Sequence, residues 1–452
     1  MSVSISYTKD RRLTISGIQC DCGLNHRLPS QDIFVGSGIV KNTPAYIKKR
    51  GLGTRCVLVA DQNTFPLAGK ALADNLESEG FSVVRCVITR GGVMDPDERA
   101  CGEVLLSIQP ETEFLVAVGS GSIMDTVRVN AMRCKLPFVS VGTAPSMDGY
   151  TSVVAPLLLR HVKIHRAGVC PEIIVCDTDI LRTAPIAMVC SGVGDVLGKY
   201  IAKADWMIGS IINGETYCGV CGEIVTQAIE KLFAHVEAIR DRTGEGIRIL
   251  TEALLLSGVT IMIVGHTRAV ASVEHNIAHY WEMMQLIHGH HPPAHGASVG
   301  VATLLAWPMY TRFANEDLSG IDIEAVKLKR ITREEREQWM LRAFEAEAAG
   351  SIMRDNPEDF LTWDEQLRRI QTAQKRQQDI RNAIALMPPL ETILAAMRKL
   401  GALTTPAECG IDEKLLNLSM RCAKDYRSRY TLFKLIAECG LEEKYLSDYP
   451  LH

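Results

Sequence analysis

The sequence predicts an α/β domain with a parallel sheet, followed by an all-α domain. Three observations support this fold class. Short apolar, β-branched segments alternate with helix-like segments between residues 56 and 141. A glycine-rich turn follows one of these segments, and strand signals stop from about Pro185. Because 452 residues exceed one ordinary core, we expect two domains, residues 1–185 and residues 186–452.

The N-terminal elements follow one another in strand–helix order. Strands are predicted at 56–61, 82–88, 114–118 and 138–141, and helices at 67–79, 97–108 and 123–133. This alternation requires right-handed crossover connections and therefore gives a parallel sheet. Beyond residue 185 the sequence is typical of amphipathic helices interrupted by proline and glycine. The apolar segment 253–265 is shorter than the roughly 18–20 residues of a membrane span, so we expect no membrane span and place the segment in the central helix of the second domain.

Composition and charge exclude several classes of protein. The chain is 47% hydrophobic and 23% charged, close to the average for folded domains, which argues against disorder. A net charge of −4 indicates no basic surface for nucleic acid or anionic membranes. The N-terminal residues show neither the basic flank nor the apolar stretch of a secretory signal, so we expect a cytoplasmic protein.

Fourteen cysteines are scattered along the chain, and we expect them to be reduced and mostly buried. The only close pairs are Cys20 with Cys22 and Cys218 with Cys221. No zinc-ribbon or redox role is expected for either pair, because a ribbon-type zinc site normally needs two such pairs at short separation.

The glycine-rich turn at 118–125 is a candidate nucleotide site of Rossmann-like type. Gly119 and Gly121 follow a buried strand and precede a helix, where the backbone can approach a pyrophosphate and the helix N-terminus offers free N–H groups. Asp61 ends the first predicted strand, where a carboxylate suits the ribose diol of NAD and repels the extra phosphate of NADP. The alternative interpretation of the glycines is a tight strand–helix turn without a ligand.

A loop of small residues, 143–152, follows the fourth predicted strand. It is expected at the carboxyl edge of the sheet, where open α/β sheets bind their ligands. Its hydroxyls suit phosphate or nicotinamide contacts, and Asp148 suits a substrate hydroxyl. The alternative for Asp148 is a turn-forming residue.

Asp195, His275 and His295 form a candidate metal site. One carboxylate and two imidazoles leave a divalent cation with open positions at which a substrate oxygen can be polarised. His279 follows His275 by one helical turn, so either both bind one ion or one binds while the other contacts the substrate. Asp195 is expected at a helix start and His295 in the first turn of a helix. The histidine-rich segment 288–291 is predicted as a surface turn.

Eight parts of the sequence, spread over most of the chain, match the motifs of one protein family. They are Asp61-Gln62-Asn63-Thr64, Gly119-Ser120-Gly121-Ser122-Ile123-Met124-Asp125, Pro137-Phe138-Val139-Ser140-Val141, Ser146-Met147-Asp148-Gly149-Tyr150-Thr151-Ser152, Gly194-Asp195 through Asp205-Trp206, Glu274-His275 with His279-Tyr280-Trp281, His295-Gly296, and Lys424-Asp425-Tyr426-Arg427-Ser428-Arg429-Tyr430. Together they resemble the bacterial sn-glycerol-1-phosphate dehydrogenases, within the superfamily of dehydroquinate synthases and iron-containing alcohol dehydrogenases.

The resemblance implies a dehydroquinate-synthase-like fold and roles for individual residues. The metal ligands would be Asp195, His275 and His295, and the substrate contacts would be Asp148, Asp195 and His279. The residues that bind NAD(H) or NADP(H) would be Asp61, Gly121, Ser122, Ile123, Met124, Asp125, Thr143, Ser146 and Ser152.

The resemblance also implies a reaction, the reversible, metal-dependent reduction of dihydroxyacetone phosphate by NAD(P)H to sn-glycerol 1-phosphate, which feeds glycerophospholipid synthesis. Zinc is the expected metal, with iron and nickel as alternatives for these ligands. Water or His279 would supply the proton. Helix N-termini and a cation would hold the phosphate, and Lys199 and His26 are both candidates. A phosphorylated triose is the expected small-molecule partner, and a homodimer the expected assembly.

Two other functions are compatible with parts of this pattern. A dehydroquinate-synthase-type cyclase would use the same NAD and metal, but it needs several additional lysines and arginines around a carboxylated sugar acid. The candidate site segments are apolar and glycine-rich instead. A catalytically silent homologue that senses metal or nucleotide would be favoured by a missing ligand, and every ligand position here is filled.

Overall fold

The computed structural model describes residues 2–26, 30–159, 162–356 and 360–450 of the chain. The strands in these ranges are β1 (Ser2–Tyr7), β2 (Leu13–Gln19), β3 (Asp32–Gly36), β4 (Arg55–Asp61), β5 (Ser82–Ile88), β6 (Phe114–Gly119), β7 (Phe138–Gly142), β8 (Val154–Leu159), β9 (Val162–Ala167) and β10 (Ile173–Asp177). The helices among and just after them are α1 (Thr43–Arg50), α2 (Lys70–Ser78), α3 (Glu98–Ser107), α4 (Gly121–Cys134) and α5 (Thr178–Leu181).

The second part of the chain is helical. Its helices are α6 (Ile186–Leu197), α7 (Lys199–Asn213), α8 (Gly219–Ala234), α9 (Val236–Arg240), α10 (Gly244–Val264), α11 (Val273–Ile287), α12 (His295–Phe313), α13 (Ile323–Leu328), α14 (Arg333–Phe344), α15 (Ala346–Asp355), α16 (Trp363–Lys375), α17 (Gln377–Ile384), α18 (Leu390–Leu400), α19 (Glu413–Cys422), α20 (Leu432–Glu438) and α21 (Glu442–Leu446). From Ile186 onward the described residues contain no strand. The predicted fold class is therefore confirmed.

The main sheet is parallel and has the strand order β3-β10-β7-β6-β4-β5. Its central strand β6 is buried along its whole length, and neighbouring side chains belong to different hydrophobic clusters on the two faces. Val116 faces one cluster and Leu115 the other. This two-sided burial explains the continuous apolar runs from which β4, β6 and β7 were predicted. β5 lies at the edge of the sheet and is largely exposed, and it was predicted from its β-branched residues.

Several strands were not predicted. β3 and β10 form one side of the sheet and have five residues each. Apolar runs of that length carry no periodicity that separates a strand from a buried helix. The antiparallel pairs β1–β2 and β8–β9 lie outside the main sheet and were also missed.

The central helix of the second part is α10, as the apolar segment 253–265 predicted. It begins earlier than that segment, at Gly244, and by length and composition alone it is apolar enough to cross a membrane. In the fold, 78% of its most apolar 18-residue window is buried. It packs against α6, α8 and α9 and against the turn before β8.

The hydrophobic core continues across the expected domain division. Leu13, Ile33 and Tyr150 belong to the same buried cluster as the core residues of α6 to α12. After the last strand and the short helix α5, the first long helix, α6, begins at Ile186. The expected boundary at residue 185 therefore coincides with the change from strands to helices. That two separate domains meet there stays a prediction.

Asp205, on α7, has a buried carboxylate that accepts hydrogen bonds from residues of several other elements. One oxygen accepts hydrogen bonds from the Tyr310 hydroxyl and the Leu432 backbone N–H, both at 2.8 Å. The other accepts from the Ser272 hydroxyl at 2.6 Å. Burial raises the pKa of this carboxyl to about 7, although these hydrogen bonds and the charge of Arg268 act in the opposite direction.

This pKa predicts an unusual pH dependence of stability. Because the folded-state pKa, about 7, lies above the value of about 4 in an unfolded chain, the folded protein holds the Asp205 proton between these two pH values. We expect the free energy of unfolding of the wild type to fall relative to Asp205→Asn as the pH rises from 4 to 7, by at most about 1.4 kcal/mol per pH unit. Urea denaturation of both proteins in the same buffers measures this, and a difference that does not change with pH would contradict it.

Candidate active site between the sheet and the helices

The candidate nucleotide site lies where the strand order of the sheet reverses. The chain passes from β4 to β5 on one side and then places β6 on the other side of β4. Open α/β sheets bind ligands at such a point, beyond the carboxyl ends of the strands. Asp61 ends β4, and Gly119 ends β6 with Gly121 opening α4. The structure thus brings together the carboxylate and the glycine turn that the sequence singled out.

The two glycines of this turn have different surroundings. A Cβ on Gly119 would lie 2.5 Å from the Cβ of Ile123, so glycine is required there for α4 to pack against its own strand. A Cβ on Gly121 would make only ordinary contacts with Met147, at 3.6 Å or more. The Asp61 carboxylate accepts hydrogen bonds from the N–H groups of Asn63 and Thr64, at 2.8 and 2.7 Å, which fixes the turn after β4.

The first turn of α4 can address a cofactor mainly through its backbone. The side chains of Ile123 and Met124 are buried in hydrophobic clusters, whereas the helix N-terminus carries N–H groups without intrahelical partners. Ser122 lies half-buried in the same turn. The Asp125 carboxylate forms an ion pair at 2.6 Å with Arg128, one turn further along the helix.

Arg128 holds the loop 143–152 in place and was not predicted. Its side chain is 1% exposed, and its guanidinium donates to the carbonyls of Gly149, at 2.6 Å, and Tyr150, at 3.4 Å. The Tyr150 hydroxyl donates to the carbonyl of Ala144 at 2.6 Å. These bonds shape the loop from inside.

The predicted hydroxyl residues of this loop occupy different positions. Thr143 is buried and donates its backbone N–H to the carbonyl of Gly119 at 3.1 Å. The hydroxyls of Ser146 and Ser120 are 2.7 Å apart, which links the loop to the glycine turn. The hydroxyl of Ser152 interacts with the backbone of Val154, at the start of β8.

The three predicted metal ligands converge. The ligand atoms of Asp195, His275 and His295 all lie within 4.8 Å of one another. His275 Nε2 lies 3.5 Å from Asp195 Oδ1. His295 opens α12, as predicted, and His275 and His279 share α11. The prediction that Asp195 lies at a helix start was wrong.

Asp195 lies near the C-terminal end of α6 and is fully buried. Its carboxylate is therefore not oriented by free N–H groups of its own helix. One oxygen instead accepts the backbone N–H of Asp148 at 2.9 Å, and the other accepts from the Lys199 ammonium at 2.7 Å. The flanking glycines suggested a helix start, but they serve the packing of α6 against its neighbours.

Each candidate metal histidine is oriented by a buried glutamate. His275 Nδ1 donates to Glu274 at 2.7 Å, and His295 Nδ1 donates to Glu282 at 2.7 Å. Carboxylates of this kind set the tautomer of metal-bound imidazoles and leave Nε2 for the cation. A second set of possible ligands, His279, Glu282 and His295, overlaps the first. Because Glu282 already binds the His295 ring, the geometry favours the set that contains Asp195.

Asp148 and Asp195 share one buried cation. The Lys199 ammonium lies 2.7 Å from a carboxylate oxygen of each residue, and the Lys199 side chain is 1% exposed. Burial alone would lower the pKa of Lys199, but the charges of Asp148 and Asp195 raise it, so the side chain is an ammonium. The hydroxyl of Ser257, on α10, donates to Asp148 at 2.7 Å. Neither this lysine bridge nor the serine was predicted.

The charges of this cluster favour a bound cation. Burial alone would raise the pKa of the Asp195 carboxyl, but the Lys199 charge and the His275 hydrogen bond hold it well below its usual range. Burial alone would lower the pKa of His275, but hydrogen bonds to Asp195 and Glu274 raise it. Negative charges around His275 Nε2 thus stabilise a proton on that nitrogen. A metal ion can take the place of this proton.

His279 borders a second group of polar side chains. Its ring stacks on that of His295, with centroids 4.9 Å apart, and meets His165 of β9 edge-on at 5.6 Å. Arg427 Nη2 lies 3.4 Å from His165 Nδ1, and the Arg427 guanidinium lies 5.3 Å from the Tyr426 ring centre. Arg427 and Tyr426 belong to the motif at 424–430, but the sequence indicated no role for either.

The positions of the two phosphate candidates differ from what the sequence suggested. Lys199 is committed to two carboxylates. His26 lies among the thiols of Cys22 and Cys218, with Nε2 at 3.3 and 3.6 Å from their sulfur atoms. Arg427, by contrast, is a half-buried cation beside His165, and the His165 ring contacts that of His279.

Glycines allow the helices that carry the ligands to touch. A Cβ on Gly296 would lie 2.9 Å from the Asp195 Cβ and still closer to the carbonyl oxygen of Ser191. A Cβ on Gly194 would overlap the carbonyl of Gly296. Real Cβ atoms do not approach backbone so closely, so α6 and α12 can be this near only because both positions are glycine.

Comparisons with known proteins identify relatives of this chain. The family model of iron-containing alcohol dehydrogenases matches residues 34–185. A glycerol-1-phosphate dehydrogenase from Halalkalibacterium halodurans is 33% identical over 326 residues, which cover 72% of this chain and 82% of that relative. The enzyme of the same name from Geobacillus thermodenitrificans is 31% identical over 430 residues, which cover 94% of this chain and 96% of that relative.

A solved structure shows the same fold. Glycerol dehydrogenase from Schizosaccharomyces pombe aligns with a TM-score of 0.59 at 20% sequence identity, over 94% of this chain and 92% of its own. The likeness confirms the expected architecture of an α/β domain with a helical domain behind it.

The close contact between α6 and α12 at Gly296 predicts that a single added methyl group lowers the stability of the fold. We expect Gly296→Ala to lower the free energy of unfolding by about 1–3 kcal/mol, because α12 must move away from α6. Gly102→Ala is the matched control. It lies within α3, where a Cβ meets no atom within 4 Å, and alanine should stabilise that helix by up to about 1 kcal/mol. Urea denaturation measures both, and equal effects of the two substitutions would contradict the packing argument.

Proposed function

The chain belongs to the family of NAD(P)-dependent glycerol-1-phosphate dehydrogenases, and on that premise we propose its substrate, metal site and residue roles. The proposed reaction is the reversible reduction of dihydroxyacetone phosphate by NAD(P)H to sn-glycerol 1-phosphate. The observation that carries the proposal is the convergence of Asp195, His275 and His295 within 4.8 Å, each held by a buried partner. The two relatives described above bear the name of this activity.

The donor set fits a divalent cation. It consists of one carboxylate and two imidazoles, whose outer nitrogens are bound by Glu274 and Glu282. Three protein ligands leave open positions, as in catalytic rather than structural sites. A cation held there would polarise a substrate carbonyl, and zinc, iron and nickel all suit these ligands.

The residues around the cluster have positioning tasks. Lys199 bridges Asp148 and Asp195, balances one of their two negative charges, and thereby fixes the distance between the loop and α6. We assign Asp148 to a substrate hydroxyl, since its carboxylate lies at the edge of the cluster and is 19% exposed. His279 lies beside His295 and is the imidazole we assign to proton transfer at the substrate oxygen.

Arg427 is the cation we assign to the substrate phosphate. It lies against His165, which contacts His279, so a phosphate bound there would leave the rest of a triose next to the metal ligands. A guanidinium is suited to phosphate because it offers two parallel N–H donors. The Lys199 ammonium is less suited to bind the phosphate, because it is already paired with two carboxylates.

The dinucleotide would lie along the carboxyl edge of the sheet. We assign its ribose diol to Asp61 and its pyrophosphate to the backbone from Gly119 to Asp125. Thr143, Ser146 and Ser152 would line the nicotinamide side. The negative charge of Asp61 favours NADH over NADPH. Synthesis of glycerophospholipid, a homodimeric assembly and a cytoplasmic location stay predictions that accompany this function.

An enzyme assay with purified metal-loaded protein tests the proposal. Dihydroxyacetone phosphate should cause oxidation of NADH or NADPH, and the product should be glycerol phosphate that an enzyme specific for the sn-3 enantiomer does not oxidise. His275→Ala should lose the metal ion of this cluster, one per chain, and lower kcat by roughly 1000-fold or more, since polarisation of the carbonyl contributes several kcal/mol. Metal content is measured by mass spectrometry of the same samples.

Controls separate the parts of this proposal. His290→Ala, in the exposed turn after α11, should keep both metal and activity. Asp148→Asn should keep the metal and lose turnover. Turnover of glycerol or a simple diol alone would refute the phosphorylated substrate, and full activity of His275→Ala without metal would refute the metal site.

The assignment of Arg427 predicts a selective change. We expect Arg427→Ala to raise KM for dihydroxyacetone phosphate by roughly 10- to 100-fold, because hydrogen bonds to a charged group contribute about 1.5–3 kcal/mol. Turnover of unphosphorylated dihydroxyacetone should stay unchanged. Arg99→Ala, on the exposed surface of α3, is the matched control. An equal loss with both substrates would assign Arg427 to the fold rather than to the phosphate.

A further inference from the structure

A second cluster of metal-ligand atoms lies near the N-terminus of the chain. The sulfur atoms of Cys20, Cys22 and Cys218 and a ring nitrogen of His26 all lie within 4.8 Å of one another. Cys20 and Cys22 follow the end of β2, and His26 lies four residues after Cys22. Cys218 caps the N-terminus of α8. The sequence argued against a joint role because these residues are far apart, but the fold brings them together.

The distances within this cluster match tetrahedral coordination. The sulfur atoms of Cys20 and Cys218 are 3.6 Å apart, and His26 Nε2 lies 3.3 Å from Cys22 and 3.6 Å from Cys218. With zinc–sulfur bonds of about 2.3 Å and zinc–nitrogen bonds of about 2.0 Å, a tetrahedron has edges of about 3.8 Å between sulfurs and about 3.5 Å between sulfur and nitrogen. The sulfur atoms of a disulfide would be about 2.05 Å apart.

The position of Cys218 favours its thiolate form. Its sulfur accepts the backbone N–H of Cys221 at 3.4 Å, at the N-terminal end of a 16-residue helix. Free N–H groups and the positive end of a helix dipole stabilise a thiolate. Cys221 lies outside the cluster of four, and its thiol also hydrogen-bonds the Cys218 sulfur.

We propose that Cys20, Cys22, His26 and Cys218 bind one zinc ion in a site separate from the catalytic cluster. Three thiolates and one imidazole form a donor set typical of structural zinc sites. Four protein ligands close the coordination shell, so the site is structural rather than catalytic. On binding, the zinc ion replaces the three thiol protons, which are released to solvent, and no redox step is involved.

The zinc ion would attach the N-terminal hairpin to the helical part of the molecule. The pair β1–β2 is a two-stranded sheet outside the main one, and an isolated hairpin is marginally stable. Its apolar side chains Val3, Ile5 and Ile15 pack against the main core while half-buried. Coordination of Cys20 and Cys22 together with Cys218 would hold this packing across 198 positions of sequence.

The proposed zinc site does not share residues with the catalytic cluster. Lys199 begins α7 and Cys218 follows its end, and a helix of 15 residues is about 22 Å long. The catalytic donors contain no sulfur. A spectroscopic signal from thiolate coordination therefore reports this site alone, whatever occupies the catalytic one.

Cobalt substitution of the full chain tests the proposal. Protein reloaded with Co²⁺ should show thiolate-to-cobalt charge transfer and the strong visible bands of tetrahedral cobalt. Cys20→Ser and Cys218→Ser should each lose the charge-transfer band, and the zinc-loaded variants should hold one zinc fewer per chain than the wild type. Cys134→Ser, which removes a half-buried thiol on α4, should change neither. His275→Ala should keep the charge-transfer band even if the catalytic metal is lost.

A second measurement keeps the proposal testable if the serine variants fold poorly. In the wild type, the half-buried Cys20 and Cys22 should resist alkylation with zinc bound and react after chelation, as peptide mapping would show. Uniform alkylation with and without chelator, or no charge-transfer band in the cobalt protein, would overturn the proposal. A disulfide between Cys20 and Cys218 in freshly purified protein would also overturn it and identify a redox pair instead.

Discussion

The contact between α6 and α12 is the constraint on which the candidate catalytic site depends. At Gly194 and Gly296 each helix lies against backbone atoms of the other, with no room for a side chain. Asp195 follows the first glycine and His295 precedes the second, so the contact that packs the helices also brings their ligand atoms together. Packed interiors transmit small displacements, and the ligand distance is therefore set by backbone contact rather than by the flexible ends of side chains.

Electrostatics links this geometry to the cation. Four buried or largely buried carboxylates, those of Asp148, Asp195, Glu274 and Glu282, surround the cluster, and Lys199 is the ammonium that directly contacts two of them. Unpaired buried charge costs several kcal/mol. The lysine offsets part of that cost and places Asp148 beside Asp195. The remaining negative charge makes occupation by a divalent cation stabilising, so metal affinity and local stability are coupled.

The sequence predicted elements whose physical signals are local. β4, β6 and β7 were predicted because strands buried on both faces read as apolar runs. His295 was placed at the start of α12 because prolines precede it. The missed features arise from tertiary contact. Asp195 was misplaced because its flanking glycines indicate a turn in sequence but serve helix packing in the fold. Arg128 and Lys199 each pair with a carboxylate three or four residues away, but their bonds to the loop 143–152 arise only in the fold. The position of Arg427 beside His165 likewise exists only once distant segments meet.

The two clusters illustrate how donor chemistry separates tasks within one chain. The proposed catalytic set has nitrogen and oxygen donors and three protein ligands, so it tolerates several metals and leaves positions for a substrate. The proposed zinc set has three sulfur donors and four protein ligands, so it retains its ion and admits no substrate. A reaction needs exchangeable coordination, whereas attachment of a hairpin needs permanent coordination. The number of protein ligands, three in one set and four in the other, therefore separates the two proposed tasks.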